Sequence, residues 1–197
     1  MKHEWRKHEK DLYGAKKTPR LIVIPKQQYI TINGKGNPND KDFSNRVSAL
    51  YALAYAVKAE CKMAALTDFT VYPLEGIWKL KEDAKFLKEN LEYTIMVRQP
   101  DFISEDMVKS ALEKVKVKKP MPLLDEIGFH GMQDGKCVEI LHIGSYDDEP
   151  VSFALMDKFM EATGLERTSV CHREIYLNNA QRVETSKLKT ILRYFVK

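Results

Sequence analysis

Two stretches of this chain follow the same order of elements, and that constrains its fold more than any other feature. ITINGKGNPNDKDFSNRVSAL and EILHIGSYDDEPVSFALMDKF each run from an apolar strand through a glycine-bearing turn to an acidic helix start and a helix. Two further strand-like segments follow each of them: FTVYPLEGIWKL and LEYTIMVRQP after the first, HREIYL and LKTILRYFV after the second. The pattern predicts an α+β protein built from a duplicated β-α-β-β unit. The pseudo-repeats cover about residues 20–100 and 136–197 and are joined by a helix over about 104–116. Such units would pack their helices on one side of an antiparallel sheet and leave a central cleft at the pseudo-twofold axis.

Local signals place the elements. Phe43, Val47, Leu50, Ala54, Val57 and Cys61 recur at steps of three or four, the mark of a helix with one buried face. Ser104, Glu105 and Asp106 open the linking helix, where acidic residues complement the helix dipole. Gly164 ends the helix that begins near Pro150. Arg20 to Ile32 reads as one strand, with Pro25 suited to an edge or a bulge. KEDAKFLKEN is a loop or a short helix, and residues 1–19 read as a charged, loosely attached N-terminal arm.

Composition narrows the class. With 44% hydrophobic and 30% charged residues in 197, the chain can bury a core and is neither disordered nor membrane-spanning. MKHEWRKHEKDLYGAKK lacks the apolar stretch of a secretory signal, so the expected location is cytoplasmic, with no membrane partner. Three widely spaced cysteines fit free thiols better than disulfides or zinc. The net charge of +4 comes from 32 basic and 28 acidic residues that are mixed along the chain. No basic face results, and direct nucleic-acid binding is not expected.

Several side chains could carry chemistry. In HREIYL, alternation puts His172, Glu174 and Tyr176 on one strand face. Facing outward they would be solvated surface; facing a cleft with aromatic walls, Glu174 could act as a base or a cation partner. In TVYPLEGIWKL, Tyr72 and Trp78 suit either core packing or the stacking of a planar ligand. Glu75 sits in an apolar setting and is a second carboxylate candidate. In HIGSYDDEP, His142 and Tyr146 lie where a strand enters a helix and could orient a ligand oxygen. Tyr55, one turn from Tyr51, could fill the sheet interface or line the cleft. Motifs for zinc peptidases, serine hydrolases, phosphate loops and dinucleotide binding are missing, so neither a cofactor nor a metal is indicated.

The segments KTPRLIVIPKQQYITINGKGNPN, YPLEGIW, MVRQPDFI, LHIGSYDDEP and HREIYLNN, in that order, resemble the gyrase-inhibitor-like (GyrI-like) small-molecule-binding family. That family is related to the effector-binding domains of AraC-type and multidrug-sensing regulators. The resemblance implies a duplicated, SHS2-like β-α-β-β fold with a central cleft, and a ligand-contacting glutamate at Glu174. It also implies a possible kinship with stand-alone members that hydrolyse the strained cyclopropane of DNA-alkylating natural products. Where the family often reads HHEIYL, this chain has His172-Arg173-Glu174, so no role is carried over to a second histidine.

These readings leave two hypotheses. In the first, Glu174 and Tyr176 are catalytic, and Tyr72, Glu75, Trp78, Tyr55, His142, Tyr146 and His172 bind a small planar substrate that water opens. In the second, the same cleft only sequesters a drug or metabolite, the carboxylate pairing with a cation over aromatic faces. The partner in either case is a small molecule. The sequence is compatible with a homodimer, and a role toward gyrase rests on the family name alone.

Overall fold

The computed structural model describes residues 2–64, 67–81, 85 and 87–197. Eight strands form one antiparallel sheet: β1 (Arg20–Ile24), β2 (Gln27–Lys35), β3 (Leu74–Leu80), β4 (Leu91–Gln99), β5 (Gly128–Met132), β6 (Gly135–Ile143), β7 (Arg167–Tyr176) and β8 (Lys189–Val196). Three longer helices, α3 (Lys41–Met63), α4 (Glu105–Lys118) and α5 (Glu149–Thr163), join two short N-terminal ones, α1 (Trp5–His8) and α2 (Lys10–Tyr13). Ser104 caps α4 by accepting from the Met107 amide, and Gly164 ends α5 in the left-handed conformation at φ 70°.

The strand order β1-β6-β8-β7-β3-β4-β2-β5 reads as two mirrored four-stranded halves that meet between β7 and β3. In one half β6, α5, β7 and β8 repeat the order of β2, α3, β3 and β4 in the other, so the duplicated unit is present. Each half takes its outermost strand from the hairpin of the other. β1 pairs with β6 and β5 with β2, although the two-residue links at 25–26 and 133–134 tie β1 to β2 and β5 to β6. The expected single strand from Arg20 to Ile32 is therefore two strands. Pro25 lacks an amide donor and fixes its own φ, and the chain changes sheet ends there. β5 was not visible in the sequence because GFHGM has neither apolar alternation nor a β-branched residue. Residues 82–84 and 86 of KEDAKFLKEN lie outside the described residues, and Lys88–Asn90 form a 3-10 turn.

Cross-strand register sorts the sheet's two faces. On one, Ile30, Ile32, Ile95 and Val97 pack with Leu50, Leu53, Ala54 and Val57 of α3, while Val138, Ile140, Leu192 and Tyr194 pack with Met156 and Met160 of α5. The long α3 and α5 thus share a face, as the sequence led one to expect, and α4 packs on α3.

The other face holds buried charge. Arg173 pairs with Glu75 at 2.9 Å and with Asp134 at 2.7 Å; Glu139 takes Arg193 at 2.7 Å and Arg20 at 2.6 Å. Residues 3–15 belong with this charged side. Arg193 and Arg20 donate to the carbonyls of Leu12 and Asp11, and Glu9 pairs with Arg98 and accepts from Tyr72. The N-terminal segment is consequently not loose. Trp5 is 4% exposed, stacks at 6.3 Å on Tyr72 and donates its indole N–H to the Val71 carbonyl. Its density of charged residues conceals this anchoring, because Glu9 meets Arg98 and Arg6 the Leu177 carbonyl far along the chain.

Candidate functional site

The centre of the helix-bearing face is floored by β7 and β3. α3 packs on β2 and β4 and α5 on β6, which leaves the two central strands between the helices. Strand alternation brings His172, Glu174 and Tyr176 of β7 to that base beside Trp78 and Gly76 of β3, which pair with His172 and Glu174 respectively. Gly76 is required there: a Cβ would lie 2.5 Å from the Trp78 indole nitrogen. Without a side chain at 76, the indole N–H reaches Tyr176 and donates to its hydroxyl at 2.9 Å.

Tyr176 in turn donates to Glu174 Oε2 at 2.7 Å, while Glu174 Oε1 lies 2.8 Å from His172 Nε2. An ionised carboxylate only accepts, so this contact assigns the proton to His172 Nε2. The Glu174 side chain is 11% exposed, and each helix sets an aromatic ring beside its neighbours. Phe43 of α3 lies 5.8 Å from Trp78, and Phe153 of α5 meets His172 edge-on at 4.9 Å. Tyr146 approaches Tyr176 edge-on at 5.8 Å and is 39% exposed, which puts it at the rim. Burial and the negative charge of Glu174 push the Tyr176 hydroxyl well above its ordinary range, keeping it a donor.

A carboxyl that the sequence reading passed over belongs to this cluster. Glu149, the first residue of α5, is 6% exposed, and its Oε1 has no hydrogen-bond partner among the described residues. Burial, followed by the charges of Glu174 and Asp147, pushes its pKa up to about 9. A helix N-terminus favours the ionised form by only about 0.3–1 kcal/mol, so desolvation wins. Within DDEP this residue reads as one more acid complementing a helix dipole; the signal available was Phe153 four residues on, which puts both side chains on one helix face.

Of the other anticipated ligand residues, three lie elsewhere and one has its polar atoms engaged. Glu75 is adjacent to Gly76 and so points to the opposite face, where it pairs with Arg173; the carboxyl whose charge Glu174 influences is Glu149 instead. Tyr72 is 1% exposed and serves the N-terminal segment, bonding Glu9 and His3 beneath the Arg98 guanidinium. Tyr55 is 59% exposed, and its described ring contact is with Tyr51 at 6.2 Å, on the solvent side of α3. His142 is buried with both nitrogens engaged: Nε2 donates to the Ser145 carbonyl at 2.8 Å and Nδ1 accepts from Ser152 at 2.9 Å. It therefore fixes the turn to the start of α5 rather than offering a proton to a ligand. A separate open hollow of about 910 Å³, lined by Asp42, Arg46, Glu92, Tyr93 and Cys171 among others, does not include Glu174.

The duplicated sheet, the two flanking helices and a carboxylate ringed by aromatic side chains define a class of proteins that hold small molecules between pseudo-symmetric halves. The family model for the GyrI-like small-molecule-binding domain matches residues 17–195, and the chain belongs to that family. A crystal structure of an uncharacterized conserved protein from Listeria innocua is similar over 99% of this chain and 100% of its own, at 32% identity and a TM-score of 0.92. A Listeria innocua structure described as a hydrolase is 32% identical over the whole of both chains, with a TM-score of 0.91. The C-terminal domain of EcmrR is 14% identical, over 91% of this chain and 97% of its own; its TM-score of 0.56 makes it a likeness of fold alone. No curated protein matches the sequence. Among the described residues no helix is long and apolar enough to cross a membrane.

Proposed function

We propose that the cleft over Glu174 takes small, planar, largely apolar electrophiles and hydrolyses those that carry a strained cyclopropane, acting in the cytoplasm as a detoxifying enzyme. The observation that carries this reading is a carboxylate with both oxygens oriented, by His172 and Tyr176, inside an aromatic surround. Such a group can accept a proton from a water molecule held against the ring. The water oxygen then bonds to the electrophilic ring carbon, a ring C–C bond breaks, and its electron pair moves to the conjugated carbonyl oxygen. Trp78, Phe43 and Phe153 supply flat apolar surface for the planar body and keep other water away. Kinship with the Listeria innocua structure described as a hydrolase supports catalysis over storage.

A second reading has its own support: a carboxylate beside several aromatic rings also suits a cation, and the cleft could sequester without turnover. Incubation with a cyclopropane-bearing aromatic enone, followed by mass spectrometry, separates the two. Hydrolysis gives a product heavier by one water, and Glu174→Gln lowers its rate by about a hundred- to ten-thousand-fold while leaving binding intact. Undiminished hydrolysis in that variant removes Glu174 from the mechanism. Binding with no product from the wild type leaves sequestration.

A further inference from the structure

We infer that Glu149 is the proton donor of this cleft, giving its carboxyl proton to the substrate oxygen that gains charge while Glu174 takes the proton of the attacking water. The inference rests on the hydrolytic reading and assigns the half of the proton balance that Glu174 cannot supply.

The geometry comes from two ring contacts that bracket one position. Tyr146, just before α5, touches Tyr176, and Phe153 within α5 touches His172. Glu174 lies between 172 and 176 on the same strand face. Glu149 lies between 146 and 153 in sequence and one helical turn before Phe153, so it shares Phe153's helix face, and it is close enough to Glu174 to feel its charge. His142 holds this arrangement by tying the turn at Ser145 to Ser152.

The two carboxyls are differently equipped. Both oxygens of Glu174 have protein partners, whereas the buried Oε1 of Glu149 has none among the described residues. A buried polar atom without a partner is costly unless something else meets it, and a substrate oxygen in the cleft would do so. The charged and titratable groups linked to Glu149 are Glu174 and Tyr176 on β7 and Tyr146 and Asp147 in the preceding turn, the last paired with Lys88 at 2.9 Å. Burial, with the charges of Glu174 and Asp147, outweighs any attraction there, and Glu149 keeps its proton up to about pH 9. A carboxyl that keeps its proton, beside one whose two oxygens meet His172 and Tyr176, offers an acid and a base within one site.

The step balances. The water proton moves to Glu174, and the remaining hydroxyl oxygen bonds to the ring carbon. The ring C–C pair shifts to the carbonyl oxygen, which takes the Glu149 proton. Proton exchange between the two carboxyls through solvent then restores the starting state.

The test uses the full chain and the cyclopropane-bearing enone over a range of pH. The wild type should lose activity on an alkaline limb near pH 9. Glu149→Gln should bind the compound as tightly, turn it over about a hundred- to ten-thousand-fold more slowly, and lack that limb. Glu149→Asp keeps a carboxyl proton and should retain the limb at reduced rate, a split that a merely structural role would not give. Turnover by Glu149→Gln within about threefold of wild type, with the alkaline limb unchanged, overturns the proton-donor role alone. A wild type that forms no product overturns the hydrolytic reading and this role together.

Discussion

Replacing Arg173 with leucine separates the two faces of strand β7. Arg173 is next to Glu174 in sequence but points the opposite way, fully buried between Glu75 and Asp134. Its loss leaves two buried carboxyls without their cation. Breaking a buried pair from one side costs about 3–5 kcal/mol, because the remaining charge stays desolvated. In a domain of this length each kcal/mol moves Tm by roughly 2–4 °C, so the expected loss is roughly 6–20 °C. The deficit should shrink in acid. Burial already pushes the Glu75 pKa up despite the pull of Arg173 and Arg193, and without Arg173 it rises further. The folded variant then binds protons more readily than its unfolded chain, so lowering the pH restores part of the lost stability. Thermal and urea unfolding at several pH values, together with turnover at a temperature where the variant is folded, make up the assay. A loss under about 1 kcal/mol, or a deficit that grows on acidification, refutes the electrostatic account of this face. Loss of turnover in a fully folded variant refutes the separation of the faces.

Three further outcomes follow from the same physics. Trp5→Ala should cost about 3–5 kcal/mol in urea unfolding, since it empties a core position and orphans the Val71 carbonyl; a negligible loss would mean that the N-terminal segment is dispensable. Tyr176→Phe removes the donor to Glu174 and the acceptor of the Trp78 indole N–H, and should cost about 1–3 kcal/mol with slower turnover; wild-type stability and rate together would contradict the network. The Glu149 pKa of about 9 lies above the ordinary 4.5, so its stabilising protonated form is fully present below about pH 4.5 and is lost as pH rises toward 9. Wild-type stability should fall over that window by up to about 1.4 kcal/mol per pH unit, and Glu149→Gln should flatten the slope.

How much of this was legible in the sequence depended on whether the signal was local. Helix α3 and the register that turns His172, Glu174 and Tyr176 to one face follow from periodicity within a single segment, and both appear in the fold. The duplicated order of elements was readable for the same reason. What stayed hidden depends on contacts between distant segments. Glu75 and Glu174 both look like acids among apolar neighbours, and only the pairing of Gly76 with Glu174 shows that they face opposite ways. The charges of the N-terminal segment suggested solvent until Arg98 and Tyr72 proved to be the partners of Glu9. Glu149 carries a local explanation, as a helix-start acid, that masks its burial and its nearness to Glu174. Pro25 suggested an edge or a bulge within one strand, and nothing local tells that the strand ends and the chain changes sheet ends there.

The most direct test of the central claim is a co-crystal structure of Glu174→Gln with the unhydrolysed cyclopropane-bearing enone. The compound should lie between α3 and α5, its ring carbon facing residue 174 and its plane against Trp78 and Phe153. A compound found instead in the hollow beside Arg46 and Glu92, with the cluster around residue 174 unchanged, would contradict the assignment.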